Sequence, residues 1–111
     1  MMKYIFEVRV QEGHTAEEYA DAWGRASELI QKAPGARGTM LHRKIGEPNT
    51  LIAIASWDSK DARDAMEASK DPRITEIIRS AAPFVEITPL GEFEEPEWVV
   101  MPPDSGQEWG M

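Results

Sequence analysis

With 111 residues, 41% hydrophobic and 29% charged, the chain has the size and composition of a single globular domain. Acidic residues outnumber basic ones 20 to 12, for a formal net charge of -8, and a surface of that sign repels nucleic-acid phosphate and anionic lipid, so neither nucleic acid nor membrane is expected as a partner. Cysteine is absent, which removes disulfides, thiolate metal sites and thiol nucleophiles, and no run approaches the ~18 apolar residues of a membrane span, so a cytoplasmic protein is expected.

Residues 3 to 10 alternate, with Tyr4, Phe6, Val8 and Val10 on one face and Ile5, Glu7 and Arg9 on the other, which predicts a first strand. Thr15 followed by Glu18 has capping-box spacing, and Tyr19, Ala22, Trp23, Ala26, Leu29, Ile30 and Ala33 recur at helical intervals, so a helix is predicted from Ala16 to Lys32. Pro34-Gly35 ends it. Gly38 to Ile45 reads as a polar second strand, Gly46-Glu47-Pro48-Asn49 as a turn, and Thr50 to Trp57 as a third strand in an antiparallel hairpin with the second.

Ser59 is placed to cap a short helix with Ala62, Ala65, Met66 and Ser69 inward. Asp71-Pro72 interrupts that helix, because proline lacks an amide donor and disfavours helical geometry before it. A second piece runs from Arg73 to Ala81, and Pro83 to Leu90 makes the fourth strand. The order is βαββαβ, an α+β domain over residues 1–90. From Gly91 the composition changes to glutamates alternating with prolines, then Trp98-Val99-Val100-Met101, which reads either as a solvated tail over 91–111 or as an arm covering an edge or groove of a partner chain. A chain this short gains buried area by pairing with a second copy, so a homodimer is expected.

The strand order, the Pro34-Gly35 turn and the run Ser56-Trp57-Asp58-Ser59-Lys60-Asp61-Ala62 into the second helix resemble the antibiotic biosynthesis monooxygenase family over residues 3–90. The resemblance implies a ferredoxin-like protomer with a four-stranded antiparallel sheet. It also implies pairing as a dimeric α+β barrel with the two sheets face to face, and a ligand cavity between each sheet and its own helices. The chemistry it implies is diverse: cofactor-free oxygenation of anthrones and quinols, oxidative haem breakdown, or isomerisation of a signalling sugar derivative. At the positions where haem-degrading members carry asparagine, tryptophan and histidine, this chain has Phe6, Met66 and Glu76 or Ile77. At the five polar or aromatic positions of the anthrone oxygenases it has Leu41, Ala53, Trp57, Arg63 and Ile78, with His42 and Arg79 one position away. Trp57 alone matches, beside a similar Asp71-Pro72-Arg73 corner.

Oxygenation without a cofactor needs a base, donors for a developing oxyanion and a dry pocket. His42 is the histidine within a predicted strand and the candidate base, with the alternative that it faces solvent or a partner chain. Trp57 is the second candidate catalytic residue. It shares one strand face with Ala53 and Ala55, an arrangement that leaves either pocket volume or a closely packed sheet. Phe6, Trp23, Ala53 and Met66 are candidate pocket walls, and Arg79 could hold an acidic or enolate group, although aromatic and methionine residues at helical spacing also serve as core and arginines as surface charge. Two histidines in different elements give no metal-ligand spacing, and there is no phosphate-cradling glycine loop, nucleophile elbow or HExxH. No metal and no cofactor are expected. The expected function is a cofactor-independent monooxygenase acting on a small apolar, aromatic or quinol-like molecule; the alternative is a non-catalytic small-molecule-binding or stress-associated dimeric module.

Overall fold

The computed structural model describes residues 1–103. Of the arm expected over 91–111, residues 104–111 lie outside the described residues. The elements are β1 (Met2–Val10), α1 (Ala16–Ile30), β2 (Ala36–Lys44), β3 (Glu47–Trp57), α2 (Lys60–Ala68), α3 (Pro72–Ala81), a 3-10 turn (Ala82–Phe84) and β4 (Val85–Phe93). The four strands form one antiparallel sheet in the order β2-β3-β1-β4. This is the βαββαβ ferredoxin-like fold with the helices packed on one face.

Local chemistry sets the boundaries. Thr15 caps α1 through a complete capping box with Glu18, and Ser59 caps α2 by accepting from the Ala62 amide at 3.1 Å. Asp71-Pro72 does more than break a helix. The Asp71 carboxylate accepts from the Arg73 amide at 2.9 Å while Pro72 occupies the first turn, so the pair starts α3. The β2–β3 reversal is tighter than the four-residue turn predicted from sequence: it is made at Ile45-Gly46, with Gly46 at φ +88°, and β3 resumes at Glu47. Pro48 cannot donate to the ladder, and the register jumps there from Arg43 opposite Leu51 to Lys44 opposite Glu47.

At the other end Pro83 sits in the 3-10 turn, so β4 starts at Val85 and continues to Phe93, past the boundary drawn at residue 90. A bulge makes this possible. Phe6 pairs with Pro89 but Ile5 with Gly91, leaving Leu90 as the extra residue.

Strand alternation sorts side chains between the two faces. Tyr4, Phe6, Val8 and Val10 point to the helices together with their partners Leu51, Ala53 and Ala55, and Val8, Val10 and Leu51 form the main core with Tyr19, Ala22 and Ala81. A second cluster joins Met2, Trp57 and Met66 at the far end of the sheet. Ile5, Ile52 and Ile54 point to the opposite, outer face, where Met40 pairs beside Ile54 and His42 beside Ile52.

Candidate functional site

A cavity of about 400 Å³ lies between the inner face of the sheet and the helices. Its space comes from small residues on both walls: Ala55 lies between Tyr4 and Thr39 across the strands, and Ala22, Ala26 and Ala81 face it from α1 and α3. Larger side chains would have met there, as Val8 and Leu51 do a few residues away. Tyr4, Phe6 and Trp57 supply aromatic surface from the strands and Tyr19 and Trp23 from α1, a lining suited to an apolar ring system.

Trp57 is 2% exposed and is held from several sides. It pairs with Met2 on β1 and Ala36 on β2, and packs in the cluster with Met66 of α2. The backbone beside it is clamped. The Asp58 amide donates to the Gly35 carbonyl at 2.8 Å, and Arg37 grips the Asp58 carboxylate at 2.5 and 3.2 Å, which holds that carboxyl below its usual range. Gly35, at φ +88°, sits so close to α2 that a Cβ there would lie 2.5 Å from the Ala62 Cβ. The Pro-Gly turn and the Ser56–Ala62 run, far apart in sequence, are therefore one packed corner around Trp57.

The polar groups on the cavity wall are mostly donors. No buried side-chain nitrogen or oxygen among the described residues lacks a partner, and Trp57 and Tyr19 both line the cavity. Burial pushes the Tyr19 hydroxyl up to about 12, so it stays protonated at neutral pH and can donate. At the α2 end the Arg63 guanidinium lies over the Tyr4 ring, 3.7 Å from its centroid, and bonds Glu92 of β4 at 3.1 Å and Glu67 at 3.4 Å. Lys70 holds the other oxygen of Glu67 at 2.9 Å. Among the lining residues Glu67 is the one carboxylate, and histidine is not represented. No group of three or more potential metal ligands occurs among the described residues.

The residues singled out from sequence divide accordingly. Phe6, Trp23, Trp57 and Met66 converge on the cavity. Ala53 is completely buried beneath it, opposite Phe6 and Leu41, where it contributes to packing without touching the space. His42 pairs with Ile52 on the outer face and does not reach the cavity, and Arg79 is exposed on α3 outside it. His14 stacks on Phe84 with centroids 4.5 Å apart and lies 3.3 Å from Glu18, a local contact at the helix start. Sequence reasoning overlooked Glu67 and Lys70, and met Arg63 as a mismatch, although Arg63 and Glu67 share a stripe of α2 beside Met66, and Lys70 follows just past its end.

No helix among the described residues is long and apolar enough to cross a membrane. Among curated proteins none matches the chain. Solved structures share the fold, the following three among them. SnoaB, a cofactor-independent oxygenase from Streptomyces nogalater, superposes with a TM-score of 0.75 at 17% identity, over 90% of this chain and 97% of its own. A conserved protein of unknown function from Bacteroides thetaiotaomicron gives 0.70 at 16% identity, over 84% and 95%. Rv0793 from Mycobacterium tuberculosis gives 0.64 at 10% identity, over 90% and 100%. The antibiotic biosynthesis monooxygenase family model matches residues 1–73, the stretch that builds β1 through the start of α3 and contains the Trp57 corner, and the chain belongs to that family.

Proposed function

We propose that the protein is a cofactor-independent monooxygenase, acting in the cytoplasm on a small aromatic or quinol-like substrate bound between the sheet and its helices. The observation that carries this reading is the aromatic-walled cavity, with Trp57 and a protonated Tyr19 among its lining residues. In such a reaction an activated methylene loses a proton, the resulting carbanion passes one electron to O2, and the substrate radical and superoxide recombine as a peroxide anion that takes up a proton to give a hydroperoxide. Loss of water then leaves a carbonyl, so that one oxygen atom is kept and the other departs as water. Donors aimed at the substrate oxygen lower the cost of the anion, and apolar walls strengthen their effect. The site favours anion stabilisation over proton abstraction by a dedicated base, and the proton leaves to water at the polar end near Glu67 and Lys70.

The same reading includes a homodimer formed through the outer sheet face, where Ile5, Ile52, Ile54 and Met40 present an apolar surface with no covering element among the described residues. Oxygen uptake by metal-free, flavin-free protein with 1,8-dihydroxyanthrone and a panel of quinols tests the activity. One O2 consumed per anthrone, faster than in buffer, supports it. Tight binding without any acceleration across the panel would sink it in favour of a non-catalytic binding module.

A further inference from the structure

We propose that Arg63 sets the substrate class: the cavity takes a planar aromatic acid, whose carboxylate pairs with the Arg63 guanidinium in place of Glu67. The assignment rests on the cavity being the substrate site. Arg63 is prepared for this task before any ligand arrives. Its side chain is 16% exposed, its charge is anchored to Glu92 at 3.1 Å, and its plane rests on the Tyr4 ring. A guanidinium so fixed loses little freedom when a planar carboxylate meets it. Lysine in its place would offer a point charge without the fork.

The anion now beside Arg63 is a weak competitor. Glu67 approaches it at 3.4 Å, longer than the roughly 2.7–2.9 Å of a good charge-assisted bond. Glu67 is also 41% exposed and already bonded to Lys70 at 2.9 Å, so it can swing toward solvent while remaining paired. Charge points the same way. In a chain of net charge -8, the ionised residues that line the cavity are Arg63 and Lys70 against Glu67 alone, gathered at the end of an otherwise apolar space, while Glu92, which pairs with both Arg63 and Lys60, lies outside the lining. The aromatic walls receive the ring and this end receives the acid. A neutral aromatic gains nothing from displacing Glu67, which makes the contact a filter as well as an anchor.

Anthracene-2-carboxylate and its neutral counterpart anthracene-2-carboxamide, titrated into the full chain at pH 7 by calorimetry, separate the two contributions. The carboxylate is expected to bind roughly tenfold tighter, about 1.4 kcal/mol, and Arg63→Met is expected to erase the difference between the two probes. Glu67→Gln, which keeps Arg63 and alters an exposed group, should tighten the carboxylate and leave the carboxamide unchanged; it decides the matter if Arg63→Met does not fold. Equal affinity for the two probes in the wild type, or weaker carboxylate binding after Glu67→Gln, overturns the assignment and leaves the oxygenase reading standing. If neither probe binds, both fall.

Discussion

Trp57 is a buried packing residue to which the proposed reaction adds a chemical role, and substitutions can separate the two. Trp57→Ala opens a void where Met2, Met66 and Ala36 now meet the ring, and is expected to cost about 3–5 kcal/mol in a denaturant titration. Trp57→Phe keeps an aromatic ring but deletes the indole N–H. Its stability should fall by only about 1 kcal/mol, while kcat for oxygen uptake drops at least about tenfold. Equal kcat in Trp57→Phe and wild type would remove the donor role. Tyr19 gives a readout on the same wall. Its hydroxyl titrates near 10 in the unfolded chain and about 12 in the folded one, so the unfolded state holds fewer protons between those values. Folding stability therefore declines as pH rises from 10 towards 12, and a pH series of melting temperatures should show that slope reduced in Tyr19→Phe. At this scale the sequence was informative where identity alone carries meaning, as with the buried tryptophan. It was silent on which way His42 points in β2. His42 faces outward because the phase of β2 against β3 is set by a register shift between Ala36 and Thr39, with Gly38 at φ +101° inside it, and polarity alternation does not reveal such a shift.

Among the elements, α1 was legible almost to the residue, since a capping box and an apolar stripe are local signals. β4 was not, for a reason visible in its pairing. Simple alternation from Val85 and Ile87 through Pro89 would send Phe93 to the helices, but the extra residue Leu90 reverses the phase. Glu92 comes round opposite Tyr4 and meets Arg63 and Lys60 of α2, and Phe93 goes to the outer face. The element that anchors Arg63 thus includes three residues that composition assigns to the tail. Truncation after Phe93 is expected to leave the melting temperature nearly unchanged. Truncation after Leu90 should lower it by several degrees, through loss of the Lys3, Tyr4 and Ile5 pairings and the Glu92 ion pairs. Thermal melts of the two shortened chains check this, and identical melting temperatures would contradict it.

For the molecule as a whole, the acidic surface and the apolar outer sheet face pull against each other. Like charge opposes self-association at long range, while Ile5, Ile52, Ile54 and Met40 reward it at contact. The proposed dimer should accordingly strengthen with added salt, and Ile54→Asp should convert it to a monomer near 12.5 kDa by light scattering with the fold intact. The same mass for the variant and the wild type, both above the monomer value, would place the interface elsewhere. The sheet is a single strand thick, and its pleat assigns neighbouring residues to different selective pressures. Substitutions at Phe6, Thr39 or Ala55 can retune what the cavity accepts without passing through assembly, and those at Ile5, Met40 or Ile54 can redraw assembly without passing through chemistry. A library randomised on one set inherits the other unchanged, so ligand preference and quaternary structure are free to diverge along separate lineages from one scaffold.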